Sequence, residues 1–159
     1  MTILESEIST AREGWGDSLI AISKKFEQHG IDPARSLAEK ILDTYYGYDL
    51  GPVLFKPTLS GGEQTFRITK KGALSYFVGN DSDFPDDEGF GIRGWCKVES
   101  KTAASFIEGN VGIWMGNFYF TNRVNEITAV DKTFGYKKGV DGALRIILHH
   151  SSLPYQKCQ

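Results

Sequence analysis

Cysteine is nearly absent from this chain. The two present, Cys96 and Cys158, are far apart and form no CxxC or Cys/His spacing, which argues against a disulfide framework or a thiolate zinc cage. Cys158, in the terminal segment, reads as a free thiol. Histidine is scarce too: three residues, none in an HxH or HxxxH spacing. Basic clusters are missing, since Lys and Arg never run beyond two and the net charge is −2, so a nucleic-acid partner is not expected. No apolar run approaches the roughly 20 residues that span a bilayer. The opening MTILESEISTAREGWGDS carries acids early, without a basic-then-apolar signal pattern, and the chain reads as soluble and cytoplasmic. Repeats, low-complexity tracts and linkers are absent.

What is present is a core. A chain of 159 residues with 40% hydrophobic and 13% aromatic residues suits one domain, expected over 1–159. Helices come first. Trp15, Leu19, Ile22 and Phe26 recur at helical steps within about Ser9 to His29, and Gly30 ends that helix in the αL manner. Asp32-Pro33 then supplies an N-cap and a first-turn proline for a second helix to Tyr45, with Leu37, Ile41 and Leu42 inward. Val53 to Thr58 is a strand candidate, Ser60-Gly61-Gly62-Glu63 a turn, and Thr69 the cap of a third helix, Lys70 to Val78.

After Gly94 the pattern turns to β. Trp95–Glu99, Ala103–Glu108, Val111–Thr121, Glu126–Lys137 and Ala143–Ser151 are rich in aromatic and β-branched residues, with turn signals such as Gly109-Asn110 and Lys138 to Gly142 between most of them. Three hairpins and a four- or five-stranded antiparallel sheet follow. Helices followed by strands give the α+β class, with helices on one sheet face. A strongly twisted sheet would curl around them and leave a conical cavity. The last strand, apolar on both faces through Leu144-Arg145-Ile146-Ile147-Leu148, should be central. Its outer face would then pack on a second subunit, making a homodimer. A disordered tail is expected over about 156–159.

Three motifs carry less than they seem to. Gly89-Phe90-Gly91-Ile92-Arg93-Gly94 matches GxGxxG but lacks the preceding strand and following helix of a dinucleotide site. The acidic run DSDFPDDE, Asp81 to Glu88, has Pro85 where a calcium loop needs a ligand; it reads as a solvated loop near a pocket mouth. His29 reads as a capping or surface side chain.

LHHSSLPY, Leu148 to Tyr155, is different because four polar side chains follow an apolar strand core. Alternation puts His149 and Ser151 on one face and His150 and Ser152 on the other. One pair should look into the cavity. A buried histidine that merely satisfies a neighbouring polar group is an equally good account of that pattern.

The run DKTFGYKKGVDGALRIILHHSSLP resembles the closing hairpin of the nuclear-transport-factor-2-like superfamily, most closely its calcium/calmodulin-dependent kinase association-domain branch. With DTYYGYDLGPVLFKPT and GALSYFVG, the terminal HHSSLP is similar to the iota-class carbonic anhydrases, from about Asp32 to Tyr155. The resemblance implies a cone with N-terminal helices packed on a curved antiparallel sheet of four to six strands. It implies reversible hydration of CO2 to bicarbonate with no cofactor, with Mn or Zn as the alternative. Carried over residue by residue, it implies bicarbonate held by Thr58 of FKPT, Tyr76 of GALSYFVG and Ser151 of HHSS, with His149 close by. A one-residue register slip would substitute His150 and Ser152.

The chemistry of these residues agrees. Without zinc to lower the pKa of water, hydration needs hydroxyls to orient the water and preorganised donors for the developing charge. Thr58, Tyr76 and Ser151 donate and accept; His149, at an ordinary pKa near 6.5, could take the proton and pass it to solvent. Phe77, Trp95, Trp114 and Phe134 could line a slot for apolar CO2, or be ordinary core. Asp131-Lys132 is either a pocket pair or an exposed one. Two other classes stay open. A ketosteroid-isomerase-like or polyketide-cyclase-like enzyme would need a carboxylate in an apolar cavity, with Asp43, Asp49 and Asp131 as candidates. The third is a non-catalytic ligand-binding or oligomerisation domain.

Overall fold

The computed structural model describes residues 1–158; Gln159, part of the expected tail, lies outside the described residues. Helix α1 spans Glu5–His29 and α2 spans Ile31–Tyr45; strand β1, Leu54–Lys56, is followed by α3, Lys70–Val78. Four long strands complete the chain: β2 Trp95–Glu108, β3 Val111–Asn122, β4 Ile127–Lys138 and β5 Leu144–Ser152. The sheet order is β1-β5-β4-β3-β2. The three hairpins are antiparallel as expected, while β1 pairs with β5 in parallel. Strand β5 is therefore interior, though the middle place belongs to β4. Residues 153–158 form no helix or strand, and no helix among the described residues is long and apolar enough to cross a membrane.

Helix α1 begins four residues before the expected Ser9. Glu7 explains it: its Oε2 accepts the Leu4 N–H at 2.9 Å and its carboxylate also takes Lys138 Nζ at 2.7 Å. An acid in the first turn both satisfies an orphan N–H and opposes the helix dipole. Ile8, Trp15, Leu19 and Ile22 then bury one face of α1. Gly30 ends it at φ 84°, ψ −170°, not in the αL region, and itself precedes α2. Asp32 is thus inside the first turn, paired with Arg35, and is not the cap. In α2 the buried stripe is Ala34, Ala38 and Leu42, with Leu37 and Ile41 half-buried beside it.

Helix α3 has the expected bounds, and Thr69 Oγ1 accepts from the Gly72 N–H at 3.3 Å. Gly72, a weak helix former, is where the Arg67 stem passes; Arg67 Nη1 donates to the Gly72 carbonyl at 2.8 Å. Strand β2 is continuous where two strands were expected, because a register shift between Thr102 and Ala104 absorbs the irregular stretch. A second shift, opposite Gly135 and Tyr136, falls in β5. Such bulges bend and twist a sheet, and here the inner face wraps a core of Trp15, Phe55, Phe118, Phe120 and Phe134.

Candidate active site

Register decides which face each polar residue of β5 takes. His149 lies opposite Phe134 on β4 and Phe55 on β1, and Ser151 lies opposite Lys132. All of these point inward: His149 is 2% exposed and Ser151 fully buried. His150 is exposed and, with Ser152, borders a depression on the outer face beside Asp131 and Asn117. The two therefore do not line the cavity, so the one-residue slip that would have set them beside the substrate is not the register β5 adopts, and a strand's alternation forbids both pairs from facing one way.

The inward residues enclose a cavity of about 10 Å³, the scale of a single water-sized molecule. Its polar lining is Thr58, Tyr76, Ser151, Lys132 and His149. Its apolar walls include Trp15, Phe55, Phe77 and Phe90. Phe134 reaches the site through the imidazole, its ring centroid 4.6 Å from that of His149. Trp95 and Trp114 do not line the cavity. Their indoles are bound elsewhere, Trp95 Nε1 to the Phe90 carbonyl at 2.6 Å and Trp114 Nε1 to Thr102 Oγ1 at 2.8 Å. They are core, as aromatic residues usually are.

Tyr76 comes from α3 and receives the Leu59 N–H at 3.2 Å. Burial pushes its phenol up to about 12, opposed by the Leu59 amide and the Thr58 hydroxyl. Tyr76 and Phe90 also border a surface depression of about 250 Å³ lined by Asp86, Glu88 and Arg93, so the acidic run does stand at a pocket mouth. One of its acids is not solvated: Asp87 makes a bidentate pair with buried Arg67 at 2.6 and 2.7 Å and accepts from Ser75 at 2.7 Å. The GxGxxG stretch makes a short 3-10 turn, Phe90–Ile92, and runs straight into β2.

Two further residues complete the site: Lys132, whose place the sequence left open between pocket and surface, and Tyr46, which sequence reasoning passed over. Lys132 Nζ lies 2.7 Å from His149 Nε2 and 2.5 Å from Ser151 Oγ. Tyr46 Oη lies 2.8 Å from His149 Nδ1 and receives the Trp15 indole N–H at 2.9 Å. Alternation could have found Lys132, since it sits between Val130 and Phe134, both inward on β4. Tyr46 has no such signal; it follows α2, and a bridge to Ile146 sets it beside β5. Burial holds the His149 imidazole well below the ordinary histidine range, with Lys132 and His150 adding to the effect. Burial likewise holds Lys132 well below the lysine range. Buried with both ring nitrogens engaged, His149 has no direct path for handing a proton to solvent.

The isomerase candidates are elsewhere. Asp43 pairs with Lys70 at 2.8 Å, Asp49 is exposed, and Asp131 faces outward against Asn117. Among the described residues no carboxylate lines the cavity, and no three His, Cys, Asp or Glu side chains gather to hold a metal. A depression of about 610 Å³ between α1, α2 and β5 has its charged groups already paired, Glu7 with Lys138, Asp43 with Lys70 and Arg145 with Asp141.

Comparison with known proteins agrees with this geometry. Residues 6–153 match the family described as metal-independent carbonic anhydrase. The chain is 52% identical over 155 residues to the metal-independent carbonic anhydrase of Nostoc sp. strain PCC 7120, covering 98% of this chain and 76% of that protein. It superposes on a cyanobacterial iota-carbonic anhydrase crystallised with bicarbonate at TM-score 0.97 and 51% identity, over 98% of this chain and 95% of that one. A nuclear-transport-factor-2-like protein of Pseudomonas putida, 15% identical over 96% of this chain and 87% of its own, matches at TM-score 0.57 and shares the fold alone.

Proposed function

This chain belongs to the metal-independent carbonic anhydrase family, and on that premise we propose that it hydrates CO2 to bicarbonate in the cavity between β1, α3 and the inner sheet face. The observation that carries the reading is the convergence of the Thr58, Tyr76 and Ser151 hydroxyls on one small, aromatic-walled space beside His149.

The resting cavity admits about one water-sized molecule, so its aromatic walls Phe55, Phe77 and Phe90 move apart to take CO2 beside that water. A water held between Thr58 and Tyr76 adds to that carbon. As the C–O bond forms, an electron pair moves onto the CO2 oxygens, which become a carboxylate. Donors waiting at fixed positions stabilise that charge without reorganising; Ser151 and Tyr76 take this role. The proton lost by the water passes through the Thr58 and Tyr76 hydroxyls to water in the depression bordered by Asp86 and Glu88. His149 acts as a neutral ring that holds Ser151 and its neighbours in place. No step requires a metal.

A second copy of the chain is the partner we propose for the outer sheet face, where Phe106, Ile113 and Leu54 are exposed along one row of the register. Two free, exposed thiols suit a reducing compartment, and the cytoplasm is our reading.

The test is CO2 hydration by chelator-treated protein, with metal content measured alongside. The expected result is undiminished activity at negligible metal. Activity lost with EDTA and restored by Mn2+ or Zn2+ would overturn the metal-free scheme, and no activity in either state would overturn the whole reading.

A further inference from the structure

We infer that Lys132 works as an uncharged amine, accepting the Nε2–H of His149 and donating to Ser151, and so turns the Ser151 hydroxyl proton into the cavity. Its kinetic part rests on the hydration reading above; its structural part does not.

Proton accounting carries the argument. An indole nitrogen can only donate, so Trp15 gives its N–H to Tyr46 Oη, 2.9 Å away. The Tyr46 hydroxyl hydrogen then needs an acceptor, and the one in reach is His149 Nδ1 at 2.8 Å. Nδ1 is therefore the bare nitrogen, and a neutral imidazole carries its proton on Nε2. That N–H has two neighbours, Lys132 Nζ at 2.7 Å and Ser151 Oγ at 3.1 Å, and the shorter contact takes it. An ammonium there would oppose donor to donor. An amine has one lone pair to receive Nε2–H and two N–H bonds to give. One of these goes to Ser151 Oγ at 2.5 Å; the other lies over the Trp15 ring, whose centroid is 4.6 Å from Nζ. The reverse arrangement, Nδ1–H donating to Tyr46, leaves the Tyr46 hydroxyl hydrogen buried with no partner, a costly defect.

The surroundings agree. Phe118 and Phe134 also stand 5.5 Å from Nζ, a box that could favour a cation. But among the described residues Lys132 makes no ion pair: its hydrogen-bond partners are His149 and Ser151 of β5, α1 offers Trp15, β3 offers Phe118, and Tyr76 of α3 shares the cavity as a neutral phenol. Asp131 points to the other face. A buried charge with no counter-ion is the less stable state. The consequence concerns the product. A fixed buried ammonium would hold bicarbonate as an ion pair and slow its release. A neutral donor chain gives the anion hydrogen bonds through Ser151 and lets it leave.

Lys132→Gln, Lys132→Met and Lys132→Arg separate the possibilities. Glutamine is neutral and can accept from Nε2–H and donate to Ser151; methionine cannot donate and its sulfur accepts only weakly, and arginine cannot accept. The glutamine variant should stay within about tenfold of wild-type kcat, while methionine and arginine lose about 100-fold, the scale of a lost oxyanion donor. Arginine equal to or better than glutamine would mean that charge matters, and methionine equal to glutamine would mean that packing alone matters. Either ranking overturns the inference. Nitrogen-15 NMR of the wild-type protein tests it without turnover: at pH 7, His149 should be protonated on Nε2 alone and Lys132 should be an amine. The opposite tautomer, or an ammonium, overturns it. A wild-type protein with no hydration activity would sink the hydration reading and leave the NMR result to decide the amine.

Discussion

Phe55 of β1 lies flat on the imidazole of His149 of β5, ring centroids 4.4 Å apart and planes 12° from parallel. The parallel pairing of β1 with β5 puts them opposite each other, and Phe134 covers the ring from the β4 side. Phe55→Ala should therefore do two things. It should cost about 3–5 kcal/mol, as large-to-small changes at buried aromatic sites do, measured by urea unfolding. It should also wet the imidazole and raise the His149 pKa toward 6.5 in an NMR titration; a pKa that stays low would mean the stack does not control it.

The three hydroxyls should fail individually. Thr58→Ala, Tyr76→Phe and Ser151→Ala are each expected to lower kcat for CO2 hydration by about 10- to 1,000-fold, the range spanned by proton-relay and oxyanion-donor losses. Circular dichroism should find each variant folded. Full activity in all three would remove the proposed site.

Stability should depend on pH through two buried bases. Burial holds the folded His149 well below 6.5, so below about 6.5 the unfolded chain binds one proton more than the folded one, and stability falls as pH drops. Above that pH this group adds nothing. Lys132 is held well below 10.5, so stability should climb as pH rises toward about 10.5, again because the unfolded chain holds the extra proton. Each slope approaches about 1.4 kcal/mol per pH unit for one proton. Urea midpoints should show wild type losing its acid slope in His149→Gln and its alkaline climb in Lys132→Gln. Unchanged slopes would place charge on these groups in the folded state.

Asp87 and Arg67, 6% and 4% exposed in their side chains, tie the acidic loop to α3. Asp87→Ala strands a buried guanidinium and should cost about 3–5 kcal/mol. Because Ser75, next to Tyr76, also donates to Asp87, the loss of stability should come with reduced activity at permissive temperature. A variant that is destabilised yet fully active would separate the loop from the site.

Association should respond to the outer face. Phe106→Glu and Ile113→Lys put charge into an exposed apolar row and are expected to convert a dimer to monomer in sedimentation velocity. Wild type sedimenting as a monomer would remove the proposed partner.

Local signals determined a good deal by themselves. Thr69 capped α3 as its position required, the turn residues delimited three hairpins, and alternation alone paired His149 with Ser151 and His150 with Ser152. Those are properties of neighbouring residues, legible wherever a short period or a turn chemistry dominates. Which pair faces inward was not of that kind: it depends on the cross-strand partners of β5, brought by register from β1 and β4. The same is true of Trp95 and Trp114, whose indoles found partners away from the cavity, and of Tyr46, delivered to His149 from 103 residues away. Lys132 was half legible, since its strand position pointed inward, but a charged side chain argues for water until a buried network shows where its protons go. Periodicity carries the direction of a side chain; only the packed fold decides what it meets, and that meeting sets its protonation and its chemistry.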